Sequence, residues 1–469
     1  MPVCSPSPGR LAALLAIIAI TGTNANEADL RLVEAAKAKG SARVQALVDQ
    51  QVPLDTTTPD GATALHWAAH WNDLEMADVL LRAGADANAT NELGVTPLSL
   101  ACVNGSASMV ERLLARGADI SRTLPTGVTA LMTCARSGSV DAVRHLLAAG
   151  ANVNALETVR GQTALMWAVA ERHALVAEVL VTAGANASAK SISSFTPLLF
   201  AAQQGDQKSA RILLDFGVDI NDVGSDGSAA LLVATESGHV DMVRFLIEAG
   251  ADIDAMGAGR TALHASIQHE RPDMAMLLLN AGADRNPGLT SRLPRFAGDL
   301  SVTTGPLSQI GATPFWLASK FADLEMMRLL VDHGADPLAT SDDGTTPLMV
   351  AAGIGFLEGY DRYGRLMFND DTTSRQQHDF EAVELAFALG SNVDAMNQYG
   401  QTVMHGAAYA GNNLIVQLLA DNGARLDVAD KEGRTPVTIA DGMYGSGTFL
   451  VREATAALLR ELGAEGSRP

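Results

Sequence analysis

The chain has 469 residues, of which 47% are hydrophobic and only 4% are aromatic, and its formal net charge at pH 7 is −20. A chain this apolar is not disordered, and a chain this acidic is a poor ligand for nucleic acid or for an anionic membrane surface. So few aromatic residues predict a core of small side chains, as in tightly stacked helices. The acidic residues are spread along the chain, so they serve solubility or steer a basic partner toward the protein.

The first 25 residues differ from the rest of the chain. Arg10 supplies a positive charge before the apolar run Leu11–Ile20, and residues 23–25 (Thr-Asn-Ala) have the small-x-small spacing of a cleavage site. This pattern predicts a secretory signal peptide that is cut near Ala25, because the apolar run is too short to be a permanent membrane anchor. We therefore expect a periplasmic or secreted protein that is not inserted in a membrane after cleavage. The alternative is a disordered, partly apolar tail on a cytosolic protein.

One motif recurs along the rest of the chain. A Gly is followed after one residue by Thr-Ala-Leu or Thr-Pro-Leu and by two small residues, and further on come Leu-Leu and then Gly-Ala-Asp or Gly-Ala-Asn. The glycines that mark its phase are Gly61, Gly94, Gly127, Gly161, Gly227, Gly259, Gly311, Gly344, Gly400 and Gly433. They are 32 to 34 residues apart, except across one double step and two insertions.

This motif resembles the ankyrin repeat, and the resemblance covers nearly all of the chain after the signal peptide. The Thr of each unit is placed to cap a first helix. Pro residues such as Pro97 stand at the first helical position, where no backbone N–H is needed, and glycines such as Gly84 follow the second helix, where a left-handed cap needs Gly. The resemblance implies an all-α solenoid of about twelve stacked helix-turn-helix units with short β-hairpin fingers and two late-repeat insertions. The chain is also similar to secreted bacterial ankyrin-repeat proteins with enlarged loops in late repeats.

The two ends of the array depart from the motif, as the capping units of a solenoid do. The first unit has two helical patterns, Leu30–Lys37 and Arg43–Gln50, and the last unit has a charged second helix over roughly Val451–Leu462. In the unit with the second insertion, the second helix resumes near Phe380. The predicted organisation is a signal peptide at 1–25, a solenoid at 26–464 and a disordered tail at 465–469. Within the solenoid we predict an N-terminal cap repeat at 26–58, repeats at 59–287, an insertion at 288–308, repeats at 309–355, an insertion at 356–377, repeats at 378–430 and a C-terminal cap repeat at 431–464.

Two cysteines remain after removal of the signal peptide. Cys102 and Cys134 lie in neighbouring repeats at positions offset by one. Corresponding residues of packed helices lie about 10 Å apart, which exceeds the reach of a disulfide. We therefore expect two free thiols in place of small core alanines, with a disulfide in an oxidising compartment as the alternative.

The sequence offers little catalytic chemistry. His66, His264 and His405 occupy the His position of the ankyrin motif, where the resemblance implies that the ring ties a loop to the helix. The other histidines show no metal-ligand spacing, and neither a nucleophile elbow nor a phosphate-binding loop occurs. Asp370 and Asp371 lack the loop spacing of a calcium site. We predict a protein that is not an enzyme and binds no cofactor or metal.

The resemblance implies that a partner lies in a concave groove formed by the fingers and the exposed face of the first helices. Aromatic anchors amid charged fingers are typical of binding hot spots. The predicted partner-binding residues are Trp67 and Trp71 in the first full repeat, Trp167, Phe200, Phe321 and Tyr409 in equivalent places further along, Tyr399 at a finger tip, and Tyr360, Tyr363 and Phe368 in the second insertion. Trp67, Trp167 and Phe200 have an alternative place in the core, and the second insertion is either a recognition loop or a loop folded back on the solenoid. Trp71 stands at a position that is normally polar and exposed.

These observations predict a non-catalytic scaffold for protein–protein interaction that is exported from the cytoplasm. It would be a monomer that binds a protein partner, such as an envelope enzyme or a redox protein, through the groove, the fingers and the late-repeat loops. The first alternative is a secreted effector that binds host proteins. The second is an enzyme with its site in the insertions, for which the sequence shows no set of titratable groups.

Overall fold

The computed structural model describes residues 29–293, 308–355, 372–442 and 451–464. The predicted signal peptide, most of both predicted insertions and the predicted tail lie outside these residues. The described residues hold 24 helices, which alternate along the chain as first and second helices of a unit. The first helices are α1 (Arg31–Lys37), α3 (Ala64–Trp71), α5 (Pro97–Val103), α7 (Ala130–Ser137), α9 (Ala164–Ala170), α11 (Pro197–Gln204), α13 (Ala230–Ser237), α15 (Ala262–Gln268), α17 (Pro314–Lys320), α19 (Pro347–Ala351), α21 (Val403–Ala410) and α23 (Pro436–Ala440). The second helices are α2 (Ser41–Asp49), α4 (Leu74–Ala83), α6 (Ala107–Ala115), α8 (Val140–Ala148), α10 (Ala174–Thr182), α12 (Gln207–Asp215), α14 (Val240–Glu248), α16 (Pro272–Asn280), α18 (Leu324–Asp332), α20 (Thr372–Ala388), α22 (Asn413–Asp421) and α24 (Glu453–Glu461).

The helices stack into a solenoid. Each first helix packs on the first helix of the next unit, and each second helix packs on its own first helix and, along most of the array, on the next second helix. Successive first helices contact each other more extensively than successive second helices do, as expected if the first helices line the concave side that the resemblance implies. The predicted all-α solenoid is confirmed. One boundary differs from the prediction, because α20 begins at Thr372 rather than near Phe380.

Local signals in the sequence explain where the helices begin and end. Thr63 precedes α3 with an extended backbone, and its side chain accepts a hydrogen bond from the His66 backbone N–H, which satisfies a donor that the first turn leaves free. Pro97 stands at the start of α5 in the same way as the proline of four other first helices. Gly84 ends α4 with φ +99°, a left-handed conformation that favours Gly.

The fingers between units are tight turns that bond to one another. In one finger the Asn91 N–H donates to the Val95 carbonyl at 3.1 Å. The Glu92 N–H donates to the carbonyl of Asp60 in the preceding finger at 3.0 Å, and the Ile192 N–H bonds to Arg160 in the same way. In the described part of the chain these turns form only isolated bridges, not extended strands. The hydrogen bonds between consecutive fingers fix the spacing of the finger tips along one edge of the concave face.

The motif histidines tie each first helix to the next finger, as the resemblance implies. The Thr63 N–H donates to His66 Nδ1 at 3.1 Å, and His66 Nε2 lies 3.0 Å from the Val95 carbonyl oxygen. With Nδ1 as acceptor, the neutral ring carries its proton on Nε2 and donates it to that carbonyl. His264 and His405 make the same pair of bonds. Their predicted structural role is confirmed.

The buried His264 predicts a loss of stability in acid. Burial lowers the pKa of His264 to about 4, whereas an unfolded His titrates near 6.5. Below pH 6.5 the unfolded chain therefore binds a proton that the folded chain excludes, so we expect the free energy of unfolding to fall by about 3 kcal/mol from this group between pH 6.5 and 4. Urea unfolding of the wild type and of His264→Gln at both ends of this window measures the effect, since Gln can cap the helix but cannot titrate. Equal losses in the two proteins would contradict it.

The two cysteines form a disulfide, so the expectation of free thiols was wrong. Cys102 on α5 and Cys134 on α7 have Cα atoms only 4.3 Å apart, and both side chains are fully buried. The expectation used the distance between helix axes. Each Cα lies about 2.3 Å from its axis, so two Cα atoms that face each other come much closer than the axes do. Ala101 and Ala135, next to the cysteines, are fully buried as well and allow this close approach.

Candidate partner-binding site

An aromatic cluster lies on one face of α3. Trp67, His70 and Trp71 are spaced i, i+3 and i+4, which places them on the same side of a helix. The Trp67 and Trp71 rings are stacked with centroids 5.9 Å apart, and the His70 ring lies 4.5 Å from that of Trp71. Trp67 is only 6% exposed, and Trp71 is half-buried rather than exposed. The predicted exposed position of Trp71 was therefore wrong, because the first unit packs beside it.

The first unit adds two positive charges to this cluster. The Lys37 ammonium group lies 5.6 Å from the centroid of Trp67, and the Lys39 ammonium group lies 4.0 Å from that of Trp71. Both lysines are otherwise exposed, so each cation–π contact contributes about 0.5–1 kcal/mol. Burial, and secondarily the charge of Lys39, lower the pKa of His70. The His70 ring is therefore uncharged at neutral pH, and the positive charges on the cluster are those of Lys37 and Lys39.

A hollow, which we name the Trp67 pocket, opens beside the cluster. Its walls include Trp67, Leu93, Leu100, Val103 and Thr133. Trp67, Leu100 and Thr133 occupy the same position in three successive first helices, four residues after the helix-capping Thr. Leu93 and Val103 are 43% and 40% exposed. The pocket is a mainly apolar hollow, with its apolar walls partly open to solvent.

The sequence interpretation missed the aliphatic walls of this pocket. It selected only aromatic residues at the Trp67 position, namely Trp167 and Phe200 in later repeats, and left out Leu100 in the next repeat. Leu93 and Val103 carry no signal in a single repeat, because isolated exposed aliphatic residues are common on protein surfaces. Leu93 and Val103 come together because one finger stacks on two helices.

Trp167 and Phe200 occupy the Trp67 position in later units. Trp167 is half-buried; its Nε1 donates to the Gln162 side-chain carbonyl at 3.0 Å, and the Arg136 guanidinium lies 5.0 Å from its ring centroid. Phe200 is only 5% exposed and packs edge-to-face on Phe195, with centroids 5.0 Å apart. Phe200 can therefore offer a partner little surface, and the partner-binding roles of both residues stay predictions.

The remaining predicted residues are scattered over the late units. Phe321 is half-buried, Tyr409 is 7% exposed, and Tyr399 is half-buried at a finger tip, where its hydroxyl accepts from the Gln398 side-chain amide at 2.7 Å. Tyr360, Tyr363 and Phe368 lie outside the described residues. Among the predicted residues that the structure describes, Trp67 and Trp71 are in ring contact, and partner binding by every residue of the set stays a prediction.

We also looked for metal-binding clusters and membrane-spanning helices. In the ranges that the structure describes, no three His, Cys, Asp or Glu side chains are grouped so that they could hold a metal ion. Over the same residues, none of the helices has both the length and the apolar character needed to cross a lipid bilayer.

Comparison with protein families and relatives agrees with the repeat architecture. The family model described as "Ankyrin repeats (3 copies)" matches residues 32–124, 121–191, 198–288 and 373–457, and the model described as "Ankyrin repeats (many copies)" matches residues 315–359. Together these matches cover most of the chain.

Curated relatives share part of the chain. The human neurogenic locus notch homolog protein 1 is 34% identical over 183 residues, which are 39% of this chain and 6% of that protein. The human ankyrin repeat and SOCS box protein 16 is 30% identical over 231 residues, which cover 45% of this chain and 47% of the relative. A Caenorhabditis elegans homolog of transient receptor potential cation channel subfamily A member 1 is 28% identical over 132 residues, 28% of this chain and 9% of the channel. The chain spans less than half the length of each of these relatives.

Proposed function

Because the chain belongs to the ankyrin-repeat family, we propose that it is a non-catalytic scaffold that binds a protein partner outside the cytoplasm. Ankyrin repeats imply protein partners, and the family is generally non-catalytic. The observation that carries the proposal is the concave face itself. The first helices line it, and at its N-terminal end the Trp67 pocket is apolar and partly open to solvent. Concave apolar surfaces of this kind are the usual sites of ligand recognition.

Two independent observations support the export of the protein. The first 25 residues carry the charge, apolar run and small-x-small spacing of a signal peptide. The Cys102–Cys134 disulfide joins two neighbouring units, and disulfides persist mainly in oxidising compartments outside the cytoplasm. We propose that the mature chain begins at Asn26.

Export predicts a difference in the state of the two cysteines. When cells of the source organism are fractionated after thiols are blocked, we expect the mature chain outside the cytoplasm with Cys102 and Cys134 oxidised. A chain that lacks residues 2–25 should stay in the cytoplasm with both thiols blocked. Mass spectrometry of the two cysteine peptides reads out the result. A full-length chain that stays in the cytoplasm with reduced cysteines would contradict export, and accumulation in the medium would favour the effector alternative.

Binding is tested by affinity capture from an envelope extract. The bait is the chain from Asn26 onward, next to a variant in which residues 356–371 are replaced by a short Gly-Ser linker, so that α20 stays intact. The scaffold proposal expects one protein to be retained at a stoichiometric ratio by the intact bait. Loss of that protein with the variant would place its binding at the second insertion. Retention of the protein by the variant would favour binding at the concave face. Retention of no protein by a folded bait would count against the scaffold.

A further inference from the structure

We propose that the Trp67 pocket receives an apolar side chain from a partner polypeptide, and that acidic residues follow this side chain and contact Lys37 and Lys39. This inference rests on the proposed scaffold function and specifies the chemistry of the partner segment.

The shape and lining of the pocket indicate an apolar occupant. Leu100 and Val103 of α5 form one wall, Leu93 of the finger forms another, and Trp67 closes the side toward the first unit. The side chains of Leu93 and Val103 keep part of their apolar surface exposed to solvent. An aliphatic or aromatic side chain that enters the pocket removes these surfaces from water, which is the main favourable contribution to such binding. A hollow bounded by residues of the fingers and of three first helices admits a single side chain of a peptide segment and not a folded domain.

The charge beside the pocket indicates acidic neighbours for that side chain. Lys37 and Lys39 stand on the two tryptophan rings, and neither forms an ion pair with a carboxylate of the described residues. The chain as a whole carries a net charge of −20, so an acidic segment is repelled by most of the molecule. Two ammonium groups that pair with no carboxylate in the described ranges therefore favour one position and one direction for an acidic segment beside the hollow.

The tryptophans themselves are incompletely satisfied without a partner. The indole N–H groups of Trp67 and Trp71 are buried and have no hydrogen-bond acceptor. By contrast, the indole N–H of Trp167 is bonded to Gln162, and that of Trp316 is bonded to the Thr345 carbonyl. A buried donor without an acceptor is destabilising. Both N–H groups are covered in the unbound chain, so a carbonyl of a bound segment reaches them only if the indole rings move on binding.

A peptide array tests the proposed chemistry with the oxidised chain from Asn26 onward. The probes are immobilised dodecapeptides in which a central Leu, Phe, Met or Ala is followed by Glu-Glu, Gln-Gln or Lys-Lys, with varied neighbours. We expect binding to peptides with Leu, Phe or Met followed by Glu-Glu to be about tenfold stronger than to the Ala or Lys-Lys series. Titration of the best peptide should also shift the indole N–H resonances of Trp67 and Trp71 but not that of Trp316. An array without apolar preference would overturn the proposal.

Matched variants distinguish binding at the Trp67 pocket from nonspecific binding elsewhere on the surface. Val103→Asp should weaken binding of the best peptide about tenfold, whereas Leu175→Asp, at a 66% exposed position on the second helix α10, should leave binding unchanged. The double variant Lys37→Glu/Lys39→Glu should shift the preference toward Lys-Lys peptides. Lys208→Glu, an exposed charge reversal on α12, should not. Circular dichroism checks that each variant is folded. Equal binding by the wild type and Val103→Asp would overturn the proposal.

The outcomes distinguish this inference from the proposed function. If the array shows no preference while the envelope capture retains a partner, the scaffold function stands and the assignment of the Trp67 pocket is wrong. If neither experiment finds binding with a folded chain, both are wrong. A preference for apolar peptides that ignores the following charge would support the pocket and contradict the role of the two lysines.

Discussion

Replacement of Trp316 by Ala is expected to lower the free energy of unfolding by about 4 kcal/mol, the largest effect of any single substitution considered in this protein. Trp316 on α17 is fully buried, so truncation removes a large apolar contact and leaves a cavity. Its Nε1 donates to the Thr345 carbonyl in the next finger at 2.9 Å. The same change therefore removes a hydrogen bond between two units of the stack, although the Thr345 carbonyl still accepts from the Ser341 backbone N–H at 3.1 Å.

Urea unfolding followed by circular dichroism measures this effect, and Trp71→Ala is the matched control. Trp71 is half-buried and its indole N–H has no acceptor, so its truncation should cost about 1–2 kcal/mol. Because units of a solenoid interact with their neighbours, hydrogen exchange of Trp316→Ala should rise first in α17 and α19. Equal destabilisation by the two substitutions would show that Trp316 does not link the units.

Removal of the Cys102–Cys134 disulfide is expected to lower the free energy of unfolding by about 3–4 kcal/mol. The two cysteines are 32 residues apart in the chain, and the cross-link lowers the entropy of the unfolded chain by closing a loop of that length. The double variant Cys102→Ala/Cys134→Ala should match the reduced wild type in its urea midpoint, because Ala is the residue that other units place at such core positions.

A reductant distinguishes the contribution of the disulfide bond to stability from the contribution of the packing of the two side chains. The wild type should lose stability when dithiothreitol is added, and the double variant should not respond. The pocket offers a second readout, since α5 and α7 both contribute to its walls and the bond ties these helices together. A wild type whose unfolding midpoint is the same with and without reductant would contradict a stabilising disulfide.

Sequence periodicity predicts the fold of this chain because the units repeat the same short-range structural signals. Thr63, His66 and Gly84 each act within a few residues or on the adjacent unit, through caps and short hydrogen bonds. Such interactions are visible as a motif, so the helices and the role of the motif histidines could be predicted before the structure was known.

The disulfide and the Trp67 pocket could not be predicted because both depend on distances between units. The disulfide depends on how far two Cα atoms lie from their helix axes, which the positions of Cys102 and Cys134 in the motif do not specify. The pocket depends on a gap between one finger and two helices, with Leu93, Leu100 and Val103 contributed by different elements. The sequence interpretation selected aromatic residues, but these residues differ in how far they are buried. Phe200 and Tyr409 are almost completely buried.

Site-specific photo-crosslinking tests most directly whether the concave face binds the partner. A photoreactive phenylalanine analogue replaces Val103, in the wall of the Trp67 pocket, or Leu175, on the outer helix α10, and the exported chain is irradiated in its own envelope. We expect one protein to be cross-linked from position 103 and none, or only background, from position 175. Cross-links that form equally at both positions, or only at position 175, would contradict binding at the concave face.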